Sequence, residues 1–395
     1  MTAASSAPLA LIAAGGTGGH VFPARALAET LLARGWRVGL VTDKRGTAFE
    51  TEAGDLEVFR IHAAGIAGRG LWAKLKAAST LARGFIECRK IVHQQKPAVV
   101  VAFGGYVSVP PVIAAYARQI PIVLHEQNAV LGRANRLLAS RATAIATSFA
   151  QVEKIPAEAR NAVLMTGNPV RVGIRALRER DYPHLGETEK FELLVTGGSQ
   201  GASVFAELIP EAIANLPEAL RARIRISQQT REAELDRVVG IYRHLGVKAT
   251  VQKFFGDMPE RLATAHLLVC RSGASTVAEN TVAGRPALLV PYPHATDDHQ
   301  SANARAIEAQ GGAWTLPQAA LSAEQLSRQL EDLMTHPETL TAAAQAAHRS
   351  GVPDAVERLA DLVADTARLR AGQALPDIAP SQSDGPSSTN QRAVA

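Results

Sequence analysis

The sequence predicts an α/β protein made of two doubly wound parallel-sheet domains that face a central cleft. Three observations carry this. Apolar strand-like runs alternate with helical stretches along most of the chain. Two glycine-rich turns of the same kind, Gly15-Gly16-Thr17-Gly18-Gly19-His20 and Gly197-Gly198-Ser199-Gln200-Gly201-Ala202, each follow such a run and stand roughly 180 residues apart. The length of 395 residues, 47% of them hydrophobic, exceeds one ordinary domain and suffices for two cores.

In order, the first half has strand-like runs at Leu9 to Ala14, Val38 to Thr42, Ala98 to Phe103, Pro121 to Leu124, Ala144 to Thr147 and Val163 to Thr166. Gly167-Asn168-Pro169-Val170-Arg171 and the polar stretch to Lys190 lack an apolar period and read as the interdomain linker. The second half repeats the plan with Glu192 to Thr196, Arg223 to Ser227, Lys248 to Gln252, Leu267 to Cys270, Ala287 to Val290 and Ala313 to Leu316. Helices at Ala323 to Met334 and Ala355 to Arg370 precede a Pro/Ser/Gln-rich tail, residues 373–395, whose composition predicts disorder. The expected domains are 1–170 and 171–345.

Composition narrows the function. A formal charge of +5 spread over this length suits phosphorylated ligands or an anionic membrane surface and is no nucleic-acid signature. Two cysteines, Cys88 and Cys270, make neither a disulfide framework nor a zinc motif, and point to a reducing compartment. The apolar run at Leu9 feeds straight into the glycine turn, so a buried first strand explains it better than a signal peptide. No run is long enough to span a bilayer.

Glycines after a strand let backbone approach a phosphate, and the following helix offers unpaired N–H groups with its positive dipole end. A nucleotide diphosphate is the natural ligand for two such turns. His20 stands at the start of the first helix, where a neutral imidazole can accept a proton. Ser199 reads equally as a ligand contact or a plain helix cap. Arg271-Ser272-Gly273-Ala274-Ser275-Thr276 opens another helix, and Glu279 one turn in fits either a ribose diol or the helix dipole. The loop His294 to Gln300 holds His294, Asp297, Asp298 and His299, but in no standard metal spacing, so neither a metal nor a cofactor is expected. Gly104-Gly105-Tyr106 and His125-Glu126-Gln127-Asn128 end two further strands and supply hydrogen-bonding groups for a hydroxyl-rich substrate.

The stretch from Arg69 to Lys96 carries seven cations against Glu87. Leu71, Leu75, Ala78, Ala82 and Phe85 form one stripe at helical spacing, flanked by Trp72 and Leu81. Such a stripe fits a helix packed on its own sheet, or, given the cations at Lys74 and Lys76, a patch resting on anionic lipid.

Taken together in this order, these motifs resemble those of the UDP-N-acetylglucosamine transferases of peptidoglycan synthesis, the MurG family, from about Leu9 to Arg370. The resemblance implies a GT-B fold, two Rossmann-like domains with the last helix packing back on the first. It also implies a metal-independent, inverting transfer of N-acetylglucosamine to the C4 hydroxyl of undecaprenyl-diphospho-N-acetylmuramoyl-pentapeptide (lipid I to lipid II). By that resemblance the donor, UDP-N-acetylglucosamine, meets Thr17, Gly18, Gly19, Asn128, Arg171, Ser199, Ala274, Ser275, Thr276, Glu279 and Gln300, with backbone near Phe255 reading the uracil. The acceptor side would be Gly104, Gly105, Tyr106 and His125, and the membrane patch Leu71, Trp72, Lys74, Leu75, Lys76 and Phe85. Further implications are a peripheral location on the cytoplasmic face of the inner membrane, and partners among anionic lipid and the proteins of wall synthesis and division.

His20 is the expected general base, with Glu126 its rival. Other readings remain: a GT-B transferase acting on diacylglycerol, a UDP-sugar epimerase, and a membrane-bound sugar-nucleotide sensor. A dehydrogenase using Asp43 for a ribose is the weakest, since two dinucleotide-like turns come with no hydride-acceptor pocket.

Overall fold

The structure, a computed structural model, describes residues 7–15, 18–43, 56–63, 71–186, 188–197 and 203–369, with side chains from Ser79 onward in the helix Leu71–Gln95. Two all-parallel sheets form its frame. The first contains β1 (Leu9–Ala13), β2 (Arg37–Thr42), β3 (Glu57–Arg60), β4 (Val99–Ala102), β5 (Ile122–Glu126), β6 (Ala144–Thr147) and β7 (Val163–Met165), in the order β3-β2-β1-β4-β5-β6-β7. The second contains β8 (Phe191–Thr196), β9 (Ile224–Gln229), β10 (Lys248–Gln252), β11 (Leu267–Cys270), β12 (Ala287–Leu289) and β13 (Ala313–Thr315), in the order β10-β9-β8-β11-β12-β13.

Strand order reverses between β1 and β4 in one sheet and between β8 and β11 in the other. Chains leaving neighbouring strands there run to opposite faces and open a crevice at the carboxyl rim, where open α/β sheets bind ligands. The carboxyl ends of β1, β4, β8 and β11 therefore lie at the two crevices, and the four glycine-containing segments named above follow these strands in the chain. Central strands read as unbroken apolar runs because helices cover both faces: all five residues of β1 and all four of β4 and β11 are buried.

Helix Ala355–Leu369 packs back on the first sheet, burying Leu359, Ala360, Leu362 and Val363 among Ala10, Leu27 and Val101. The two chain crossings between the halves touch. Gly167 takes φ +84, and a Cβ there would lie 2.7 Å from Val352 Cβ and 2.9 Å from Ala355 Cβ, so only glycine fits.

Two expectations need correction, and two elements are additions. The stretch after Arg171 is no loose linker: it forms the short helix Val172–Arg175 and a following turn, and Ile174, Leu177 and Leu185 are buried. Three apolar anchors suffice where polar residues face water, which hides the period. Phe85 is half-buried against the first core beside Cys88 and Val92, whereas Ala82 of the expected stripe is exposed and Ile86 is the outward apolar residue, 67% exposed. Edge strand β3 and the alanine-rich helix Pro337–Ser350 had no counterpart in the sequence reading.

Candidate active site

The first crevice is built around His20. It sits in the opening turn of helix Gly18–Ala33, directly after Gly18 and Gly19. Gly104 and Gly105 carry φ of +88 and +72, which bends the chain after β4 so that a Cβ at Gly104 would be 3.5 Å from His20 Cε1. Thus the turn after β4 passes beside the His20 ring. Gln127 holds the ring, its Oε1 lying 2.9 Å from His20 Nδ1. Tyr106, half-buried, follows on the same turn. Thr17 lies outside the described residues.

The segment after β5 diverges from expectation. His125 has no exposed surface: its Nε2 bonds the Gly167 carbonyl at 3.1 Å and its Nδ1 meets Gln127 Nε2 at 2.8 Å. It therefore lies beneath the crevice instead of lining it for an acceptor. Burial, opposed by the hydrogen bond to Gly167, pushes its pKa down to about 4, so the ring is neutral at pH 7. Glu126 is 2% exposed and accepts from Asn128 N (3.0 Å), Asn128 Nδ2 (3.2 Å), Gly132 N (2.8 Å) and Asn135 Nδ2 (2.9 Å). A carboxylate with both oxygens so engaged buckles the loop and is poorly placed to receive a proton.

In the second half, helix Ala274–Val282 begins after β11 with no side-chain cap on its first N–H groups. Ala274 is buried, Ser275 and Thr276 are half-buried, and the Ser275 hydroxyl is enclosed without a hydrogen-bond partner among the described residues. Glu279 is paired with Arg171, Nε to Oε1 at 2.7 Å and Nη2 to Oε2 at 2.9 Å, a bidentate pair with the arginine side chain 40% exposed. Gln300 accepts from Tyr292 N at 2.9 Å, while its carbonyl takes the Ser272 hydroxyl at 2.8 Å. Phe255 is buried with the Arg261 guanidinium 4.1 Å from its ring centre, so only its backbone remains for a ligand; Phe254 is the exposed neighbour. Ser199 and the rest of its turn lie outside the described residues. Among those residues no cluster of three His, Cys, Asp or Glu is placed to hold a metal.

Asn303 joins the two rims, and nothing in the sequence reading singled it out. Its Oδ1 accepts from Ala129 N at 2.7 Å, and its Nδ2 donates to Asn128 Oδ1 at 3.1 Å and to the Ser272 carbonyl at 3.0 Å. A second clasp is Asp297, which meets Arg133 and Arg136 from the first half with Lys154 nearby. The hydrogen bond from Arg133 holds its carboxyl below the usual range. Asp297 and Asp298 both take left-handed backbone, φ 56 and 54, which aspartate tolerates better than most residues. Thus the loop weighed for metal is an interdomain fastening. Its role was illegible because the partners lie more than 140 residues upstream.

Two doubly wound lobes with facing switch points, a histidine on one rim and an uncapped helix with an arginine on the other, define the GT-B class of glycosyltransferases. The chain belongs to glycosyltransferase family 28: residues 10–147 match its N-terminal domain and residues 192–359 its C-terminal domain. It is 54% identical, over 90% of its length and 96% of the relative's, to the UDP-N-acetylglucosamine--N-acetylmuramyl-(pentapeptide) pyrophosphoryl-undecaprenol N-acetylglucosamine transferase of Paramagnetospirillum magneticum. The protein of the same description from Rhodospirillum centenum is 53% identical over 94% of this chain and 98% of that one. Among solved structures, MurG of Acinetobacter baumannii superposes with a TM-score of 0.74 at 28% identity, covering 90% of this chain and 99% of that chain.

Proposed function

We propose that this chain transfers N-acetylglucosamine from UDP-N-acetylglucosamine to the C4 hydroxyl of the muramoyl sugar of undecaprenyl-diphospho-N-acetylmuramoyl-pentapeptide, with inversion. The observation that carries the reading is the bridge at Asn303, which sets the rim bearing Asn128 against the rim bearing Ser272 and the helix Ala274–Val282. The acceptor then lies on residues 1–170 and the sugar nucleotide on residues 171–345.

In the reaction the acceptor hydroxyl attacks the anomeric carbon as the bond to UDP breaks on the opposite face. His20 Nε2 takes the hydroxyl proton. Negative charge gathering on the departing diphosphate meets the N–H groups that open helix Ala274–Val282, the Ser275 hydroxyl and Arg171. Glu279 receives the ribose hydroxyls on its remaining lone pairs. The helix Leu71–Gln95 rests on anionic lipid at the cytoplasmic face of the inner membrane, where its exposed Arg83, Ile86, Arg89 and Lys90 meet the surface; the side chains of Leu71, Trp72, Lys74, Leu75 and Lys76 lie outside the described residues. No helix among the described residues is long and apolar enough to cross a membrane, in keeping with a peripheral attachment.

The test uses the full chain with labelled donor in the presence of EDTA. Label is expected in a lipid-linked muramoyl-pentapeptide and absent from diacylglycerol, and donor incubated alone is expected back unchanged. A glycosylated diacylglycerol, or epimerised donor, would replace this reading with one of the alternatives.

A further inference from the structure

Two backbone carbonyls, which can only accept hydrogen bonds, anchor a file of three side chains that ends at His20. The Gly167 carbonyl lies 3.1 Å from His125 Nε2, so that nitrogen carries the hydrogen. His125 is neutral, which leaves its Nδ1 an acceptor, and the Gln127 atom 2.8 Å away must donate. The same Gln127 atom lies 3.0 Å from the His125 carbonyl, which again requires an NH2 group there. Both contacts orient the amide one way. The Gln127 oxygen is thereby turned to His20, 2.9 Å from Nδ1, where it can only accept.

We propose that Gln127 is a positioning residue that holds His20 as its Nδ1–H tautomer, leaving the Nε2 lone pair to take the acceptor proton, with His125 and the Gly167 carbonyl setting the direction of the Gln127 amide. The proposal rests on the reading of His20 as the base. A neutral imidazole left to itself populates both tautomers, and only one of them presents Nε2 as an acceptor. An amide selects that tautomer without adding charge, whereas a carboxylate in its place would also stabilise the imidazolium. Burial does the rest: Gln127 is 2% exposed and His125 not at all, so water does not compete for these bonds. The far end of the file is equally fixed, since Gly167 is wedged against Val352 and Ala355 where the two interdomain crossings meet, and its carbonyl also accepts from Thr166 Oγ1 at 3.2 Å. Thus the packing of the hinge sets which nitrogen of the catalytic ring bears the proton.

The experiment is 15N spectroscopy of the histidine-labelled full chain, the His20 signals being identified by their loss in His20→Ala. In the wild type, Nδ1 should resonate as a protonated nitrogen and Nε2 as an unprotonated one. Gln127→Leu should move His20 to a mixture of tautomers and lower kcat at least about tenfold, a share of the ~10²–10⁴ that a positioned base contributes, with KM for UDP-N-acetylglucosamine within about twofold. Gln127→Glu keeps an oxygen opposite His20 Nδ1 but loses the NH2 group that donates to His125, so its rate should stay well below wild type. A wild-type His20 protonated on Nε2 overturns the proposal. So does Gln127→Leu with rate and spectrum both unchanged while His20→Ala is inactive, and that outcome leaves the base reading standing. Should His20→Ala keep wild-type turnover, the base reading itself fails, whichever tautomer the spectrum shows.

Discussion

The two switch-point rims share a topology and use it in opposite ways. On the first, polar side chains answer one another: Glu126 is met by four donors, His125 by Gln127 and Gly167, and Gln127 by His20. On the second, helix Ala274–Val282 starts uncapped, the Ser275 hydroxyl has no described partner, and Arg171 reaches Glu279 while still 40% exposed. A closed network fixes the geometry and protonation of one atom, as a base requires; an open set of donors waits for an anion. On the proposed reading, proton handling falls to the first rim and phosphate handling to the second.

The sharpest test of that contrast is removal of the single group at the open end of the closed network. His20→Ala should lower kcat by about 100-fold or more and leave UDP affinity, measured by calorimetry, nearly unchanged. Equal losses in turnover and UDP affinity would show that the two rims do not divide the work.

A second test uses acid. His125 has a pKa near 4 in the folded protein because burial disfavours its charged form, against about 6.5 when unfolded. The unfolded chain therefore binds more protons between these values, so stability is full above about pH 6.5 and declines as pH falls toward 4, by about 1.4 kcal/mol per unit from this group. Thermal melts across that window should show the decline, and His125→Gln should make it shallower. An unaltered slope in the variant would mean that the ring is not held neutral.

Smaller effects are expected on the open rim. Arg171→Ala and Glu279→Ala should each weaken UDP binding by roughly tenfold, the scale of one charge-assisted hydrogen bond. Calorimetric affinity equal to wild type would place the nucleotide elsewhere.

Much of this layout was readable in the chain, for local reasons. Each strand of the two central crevices was predicted to within two residues, because strands covered on both faces are continuous apolar runs. Helix Pro337–Ser350 escaped because its buried positions are mostly alanine, which gives little contrast with the exposed face. The stripe at helical spacing leaves Phe85 open to either packing or a lipid patch; the buried face of the helix is set by Gly84, Cys88 and Val92, and Gly84 is dictated by the His62 carbonyl, which a Cβ would approach to 2.0 Å. At the site, His20 was identified by its place after the glycines. Neither Gln127 nor Asn303 has a local pattern that gives it a role.

The sequence by itself determined two parallel α/β lobes and the glycine turns that follow four of their strands, since apolar runs and glycine turns are properties of short stretches of chain. Only the tertiary structure decided which polar groups at those places remain available. Hydrogen bonds with sequence separations of 107 between His20 and Gln127, and 42 between His125 and Gly167, join residues that no local period relates. A side chain's chemistry depends on partners and burial that arise only when distant segments pack, and so four consecutive residues, His125 to Asn128, take four different roles.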